Sequence, residues 1–316
     1  MKKFVTWMGL SLMAVFMLAA CGNDDEAASA PDGKEQMKVV TSFTIIADMA
    51  RQIGGDYIEV HNLVPSGTDP HEYEPLPKDI KAATDADVLF YNGLNLEGGD
   101  KGWFKKMTDS VHQKDENIFN LTEEVTPQYL SGEDGREEEI NPHAFIDPGV
   151  GVQMAEKITE VLIEKHPTDS EKIKKTGEEY IARLKELDQE YEERINDIPE
   201  ENRTLITSER AFQYMASHYG LKEAFIWEID TEENGSPKQI KDLVHFIQEH
   251  KVPVLFVESN VDPRPMETVS KETGVPIADK FIYSDEIGDP GEEIDTYVKY
   301  LNYNIDLIHD ELSKKR

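Results

Sequence analysis

The sequence predicts an α/β protein of two lobes, each a mostly parallel sheet flanked by helices, joined by one long rigid helix. Three observations carry that prediction. Short β-rich runs alternate with helical patterns between about residues 38 and 121. A stretch of unbroken helical spacing follows from about residue 170 to residue 195. The strand-and-helix alternation then resumes and runs to about residue 278. Alternating β and α segments bury their apolar faces best as parallel strands covered by helices, and a long helix between two such halves acts as a strut.

In the first half, Lys38–Phe43 reads as a strand, and Ile46, Met49, Ala50 and Ile53 mark a helix that stops at Gly54-Gly55. Tyr57–Val64 is a second strand. Asp87–Tyr91 is a short apolar run of the kind buried on both faces, and Asn117–Leu121 is a weaker fourth. In the strut, Ile173, Gly177, Tyr180, Ile181, Leu184, Leu187, Tyr191 and Ile195 keep helical spacing with charges between them. Thr168 and Glu171 have the spacing of a capping box, and Pro199 lies just past the end. At ~1.5 Å per residue such a helix spans roughly 40 Å, the size of a domain. The apolar spacing covers fewer than four heptads, which argues against a coiled-coil dimer and for a monomer. Strands resume at Thr204–Thr207, Phe225–Trp227, Val254–Val257 and, weakly, Pro276–Ala278, with a helix over Lys238–His250.

The N-terminus is of another kind. Lys2 and Lys3 precede an apolar run, Phe4–Met17, that is shorter than the roughly 20 residues of a membrane span and has the length of a signal-peptide core. It closes with Leu18-Ala19-Ala20-Cys21, which resembles a bacterial lipobox, so Cys21 is the expected lipidation site. Cys21 is the only cysteine, which excludes disulfides, cysteine-ligated zinc and thiol nucleophiles. Gly22–Gln36 is small, polar and acidic, as a flexible tether would be. The expected organisation is therefore a signal peptide at 1–20, a tether at 21–36, an N-terminal lobe at 37–167, a linking helix at 168–198 and a C-terminal lobe at 199–316. The expected location is the extracytoplasmic face of the cell membrane, held by the lipid.

The formal charge is −31, from 64 acidic against 33 basic residues. A field of that sign repels nucleic acid and concentrates cations, though most of these carboxylates serve solubility. Nine histidines are present. His71 lies in Asp69-Pro70-His71-Glu72-Tyr73-Glu74-Pro75, and His143 in Asn141-Pro142-His143-Ala144-Phe145-Ile146-Asp147-Pro148. Each follows one proline and precedes another, so each imidazole sits on a stiffened backbone, as a metal ligand should. The other histidines fall within a strand (His61) or on helix faces and ends (His112, His166, His218, His245, His250, His309) and need no special role. Two imidazoles leave a divalent ion's charge uncompensated, so carboxylates are expected from the other lobe. Glu209, after a strand, and Asp285, in Tyr283-Ser284-Asp285-Glu286-Ile287-Gly288, stand where parallel sheets present loops to a cleft. Glu258 and Asp147 are candidates for supporting positions around such a site.

Together the lipobox, DPHEYEP, NPHAFIDP, TSERAFQYMASHYG and YSDEIG resemble the cluster A-I metal-binding lipoproteins, and most of all the manganese-binding members of Gram-positive ABC transporters, once labelled adhesins. The resemblance extends over essentially the whole mature chain, including Tyr91–Glu97 and Trp227–Thr231. It implies two Rossmann-like lobes joined by a rigid helix, with the metal between them, held by His71, His143, Glu209 and Asp285. Asp285 is preferred to the neighbouring Asp279 and Glu286 because Tyr-Ser-Asp and the following Ile-Gly fit the family pattern. Arg210 departs from that pattern, standing where many members have glycine, and brings a positive charge next to Glu209.

Two histidines and two carboxylates neutralise a divalent ion and suit Mn²⁺, with Fe²⁺ an alternative, better than the nitrogen- and sulfur-rich tetrahedral preference of zinc. Zinc importers of the family resemble a three-histidine set with a histidine-rich loop. Here the third ligand is Glu209, and the acidic loop Ser131–Glu139 contains no histidine. The function implied is capture of Mn²⁺ and delivery to the permease of an ABC importer, with small lobe movement and affinity that falls as histidine protonates. Import of Zn²⁺ by the same architecture and a surface adhesin role are the alternatives. An extracellular metallohydrolase is disfavoured, since neither His-Glu-x-x-His nor Gly-x-Ser-x-Gly occurs.

Overall fold

The computed structural model describes residues 36–130, 139–229 and 235–314. Cys21, the signal-like segment, nearly all of the tether and the acidic loop therefore lie outside the described residues. Among those described, no helix is long and apolar enough to cross a membrane.

The N-terminal lobe is a parallel four-stranded sheet of order β2-β1-β3-β4, made by β1 (Met37–Phe43), β2 (Ile58–Val64), β3 (Val88–Tyr91) and β4 (Ile118–Asn120). Central β1 and β3 are buried almost throughout, because helices cover both faces. Three helices connect these strands: α1 (Thr44–Gly54), α2 (Pro77–Asp85) and α3 (Trp103–Ser110). The strand order reverses between β1 and β3, and the crevice beyond such a reversal is where doubly wound sheets bind ligands.

After the sheet, α4 (Pro148–Lys165) leads into α5 (Ser170–Asp197), a continuous helix of 28 residues. The buried positions of α5 are those with helical spacing in the sequence, except Ile181, which is only half-buried. Its N-terminus differs from expectation. Thr168 is taken up in a 3₁₀ turn, Asp169 occupies the N-cap position, and no side chain there caps the helix. The lost capping box is offset by packing: α4 and α5 approach so closely at Gly177 that a Cβ there would lie 2.5 Å from Thr159.

The C-terminal lobe begins with the parallel pair β5 (Thr204–Glu209) and β6 (Lys222–Trp227), connected by α6 (Gln213–Tyr219). Helix α7 (Pro237–Glu249) follows, with a Ser236/Gln239 capping box, and then α8 (Arg264–Thr273). The runs expected as strands around residues 254–257 and 276–278 do extend this sheet, but only through isolated parallel bridges, Leu255 to Ile277 and Glu258 to Ile282. Phe256 N donates to Ile206 O at 2.8 Å, which places the first run beside β5. Between Ile277 and Ile282 the outer run spends two more residues than its partner does between Leu255 and Glu258, so pairing breaks into two points.

Helix α9 (Tyr297–Leu312) returns to the middle of the molecule. Tyr297 N donates to Asp48 Oδ2 of α1, Tyr297 Oη to Phe145 O, and Tyr191 Oη of α5 to Leu301 O. One apolar cluster consequently runs from β1 through α4, α5 and α9 into β5 and α6, while a second fills the outer face of the C-terminal sheet. The two lobes share a core as well as a strut.

Candidate metal centre

Both histidines stand in the same local device. In Asp69-Pro70-His71, the His71 N–H donates to Asp69 Oδ1 at 2.7 Å, an Asx turn across the proline. In Asn141-Pro142-His143, the His143 N–H donates to Asn141 Oδ1 at 3.0 Å. Each proline carbonyl is held from outside: Pro70 O by the Trp103 indole N–H at 2.9 Å, Pro142 O by Asn92 Nδ2 at 3.0 Å. Asn92 is itself fixed. Its N–H and that of Gly93 donate to the two oxygens of buried Glu97 at 2.7 and 3.1 Å. The backbone after His71 is held by buried Asp79, which accepts from Tyr73 Oη, the Leu76 N–H and His61. His61 is thus structural, as its strand position suggested.

The rings of His71 and His143 lie 5.3 Å apart. Across the cleft, Glu209 ends β5, fully buried. Donor atoms of His71, His143 and Glu209 all lie within 4.8 Å of one another, with Glu209 Oε1 3.7 Å from His143 Nε2. Asp285 joins them through His143: its Oδ1 is 3.2 Å from Nε2. Its other oxygen accepts from Asn260 Nδ2 at 3.0 Å and from Ser284 Oγ at 3.2 Å. The last turn of β5 is set by Glu258, whose carboxylate accepts from the N–H groups of Ser208 and Glu209 at 3.1 and 2.8 Å.

Burial, and then the second imidazole, push His71 below its ordinary pKa, so the ring is neutral at pH 7. Burial would raise Asp285, but His143, His71 and Asn260 outweigh it and hold the carboxyl at about 2. Burial lifts Glu258 to about 7 against the two amides that favour its ionised form. The site thus presents the neutral imidazole of His71 and the ionised carboxylate of Asp285 away from water. His71 Nε2 is fully covered and has no hydrogen-bond partner. Such a concentration of buried acceptors fits a divalent cation.

Two residues near the site are engaged elsewhere. Asp147, a candidate for a supporting or buried-network position, sits in a buried network away from the four donors. Its carboxylate caps α4 through Gly149 N at 2.8 Å and pairs with His218 Nδ1 at 2.9 Å, a role forced by its place immediately before a helix that starts with proline. His218, expected to be bland, therefore ties α6 to α4. Arg210 turns its guanidinium out of the cleft to Glu223, at 2.6 Å from Nη2, and to Glu228, over the Phe225 ring. Asn141, Asn92, Glu97, Trp103 and Asn260 were missed by the sequence reading. Only Asn141 had a sequence signal, an Asx two residues before each proline-flanked histidine.

Two parallel-sheet lobes around a continuous helix, with imidazoles from one lobe meeting carboxylates from the other, define a cation-binding protein of the two-lobe solute-binding class. The family model described as zinc-uptake complex component A, periplasmic (ZnuA), matches residues 39–311, and the chain belongs to that family. It is 44% identical over 315 residues to the metal ABC transporter substrate-binding lipoprotein SsaB of Streptococcus sanguinis, covering 99% of this chain and 100% of that one. It is 42% identical over the same shares to the manganese ABC transporter substrate-binding lipoprotein PsaA of Streptococcus mitis. Among solved structures, the periplasmic zinc binding protein TroA of Treponema pallidum superposes with a TM-score of 0.79 at 26% identity, over 89% of this chain and 100% of that one. A Mn-bound periplasmic metal binding protein from candidatus Liberibacter asiaticus superposes with a TM-score of 0.76 at 25% identity, over 88% and 100%.

Proposed function

We propose that this protein captures Mn²⁺ between its lobes and delivers it to the permease of an ABC importer while lipid-anchored through Cys21 on the extracytoplasmic face. The ligands in this reading are His71, His143, Glu209 and Asp285. The observation that carries it is the convergence of two imidazoles from one lobe with two acidic side chains from the other, their donor atoms buried together in the cleft. Carboxylates bind through one or both oxygens, so coordination rises above four, which suits Mn²⁺ better than a tetrahedral zinc site. The manganese relatives support the same choice. We assign residues 37–167 and 199–316 to the lobes and 168–198 to the strut. The shared core and unbroken α5 favour capture by small local movement rather than wide hinge opening. The protein's role is transport and not catalysis, because four protein donors converge where a metallohydrolase keeps a position for water.

Zinc is the second reading, favoured by the family description and by the zinc-binding structural relative. It has weight because zinc outranks manganese at most nitrogen and oxygen sites. Metal analysis of protein purified without chelators, followed by Mn²⁺/Zn²⁺ competition and a growth test under starvation for each metal, separates the two. The expected result is one manganese per chain and rescue of growth on manganese. A zinc-loaded protein that restores growth only under zinc starvation would sink the manganese reading.

A further inference from the structure

We propose that Asn141 is an inter-lobe positioning residue, whose amide sets which nitrogen of His143 faces the metal and ties that choice to closure of the cleft. The proposal rests on the metal site described above. Asn141 is fully buried, and its side chain bonds in two directions. Oδ1 accepts from the His143 N–H at 3.0 Å and lies 2.9 Å from His143 Nδ1. Nδ2 donates to the Arg210 carbonyl at 2.8 Å. A backbone N–H only donates and a carbonyl only accepts. The two backbone groups therefore orient the amide the same way, and neither requirement involves the imidazole.

Nδ1 faces the Asn141 oxygen and keeps its proton in the metal-bound ring, so the cation takes the lone pair of Nε2, the atom 3.2 Å from Asp285 Oδ1 and 3.7 Å from Glu209 Oε1. In the opposite tautomer an Nε2–H would occupy the metal's place. A hydrogen-bond partner on the far nitrogen is the usual way a protein orients a metal-binding histidine. Here that partner is also held by the other lobe. Arg210 directly follows Glu209, and Tyr214 of α6 donates to the Asn141 carbonyl at 2.8 Å. One asparagine therefore joins the tautomer of one ligand to the backbone beside another. Separation of Arg210 from Asn141 frees the amide and removes the preference, so loosening of the cleft weakens the site.

The first test is ¹⁵N NMR of histidine-labelled native protein loaded with diamagnetic Zn²⁺. Coordination through Nε2 with the proton on Nδ1 is expected at His143, and coordination through Nδ1 overturns the proposal. The second is calorimetric titration of MnCl2 into Asn141→Ala and Asn141→Asp. Loss of such a partner typically weakens metal binding by roughly 10–100-fold, and that loss is expected for Asn141→Ala. Asn141→Asp keeps an oxygen for Nδ1–H and is expected to recover most of the affinity. It loses the donor to Arg210, so its Mn²⁺ dissociates faster than from native protein in stopped flow. Native affinity in Asn141→Ala, or an Asp variant no better than Ala, overturns the proposal. Should Asn141→Ala fail to fold, the native spectrum and the Asp variant decide. His143→Ala serves as the control for the site itself: if it still binds Mn²⁺ like the native protein the site is wrong, whereas loss there with unchanged Asn141 variants refutes only the positioning role of Asn141.

Discussion

His71 and His143 share a three-residue frame, an Asx residue, a proline and the histidine, yet the two frames sit in opposite surroundings. Asp69 is exposed and His71 only partly covered, although its Nε2 is buried. Asn141, Pro142 and His143 are all buried. The choice of acceptor follows from that difference. A charged carboxylate can close the outer turn because water solvates its remaining lone pairs. A buried carboxylate would need further donors, whereas a neutral amide accepts on one side and donates on the other. The inner frame is thus built into the shared core, while the outer one leans on it through a single indole.

Unequal consequences of removing the two rings are the sharpest way to break this comparison. Either alanine variant removes a proposed ligand and should lower Mn²⁺ affinity by on the order of 100-fold or more, read by titration of chelator-stripped protein. The difference lies in the metal-free state. His143→Ala leaves Asn141 Oδ1 with one partner fewer and opens a space between buried acids, at a cost of about 1–3 kcal/mol. His71→Ala removes a ring whose Nε2 bonds to nothing, and its cost should stay below about 1 kcal/mol. Equal losses of melting temperature in the two metal-free variants would contradict the inner-and-outer distinction.

Acidification probes the same site with a smaller effect. Metal displaces protons from imidazole, so proton competition begins only as pH drops toward the folded pKa, which burial places below 6.5 for His71. Mn²⁺ affinity should be flat above about pH 7 and fall by roughly tenfold or more by pH 5. Without metal, that depressed pKa means the folded state binds fewer protons than the unfolded chain near and below pH 6.5. Stability from this group is therefore present above that window and declines as pH falls through it. An affinity unchanged at pH 5 would remove the histidines from the ligand set.

The two Pro-His segments were readable because proline and histidine are scarce enough for a repeated pairing to stand out. The sheets and α5 were readable because burial on one or two faces imposes a period on the apolar residues. What supports the site was not. Glu97 and Glu258 act by binding backbone N–H groups, and nothing in their spacing separates them from the many solvated acids of a chain with 64. Glu258 could be singled out only by its address at a strand end. Asp147 stood out only by lying four residues after His143, and it went to a helix terminus instead. The local rule that Asp before Pro caps a helix was the stronger signal, and it was available. The paired runs near residues 255 and 277 were read as strands because apolar content reports burial, not the number of ladder bonds.

Arg210 offers the finest test, because it sits one residue from Glu209 while its charge is committed elsewhere. Its guanidinium lies between Glu223 and Glu228, partly shielded from water. Burial raises the Glu223 carboxyl and Arg210 opposes that rise, so the pair is self-contained. Only the Arg210 backbone carbonyl reaches the metal-site scaffold, through Asn141. Replacing the side chain keeps that carbonyl and leaves Glu223 half-covered without its cation. Arg210→Ala should therefore cost about 1–3 kcal/mol in stability, measured by denaturant titration. Mn²⁺ affinity should change by less than about threefold, since the charge removed was already offset locally. A tenfold or larger rise in affinity on removing this cation would show that its charge does reach the cleft, and that the site is weakened by the residue beside Glu209.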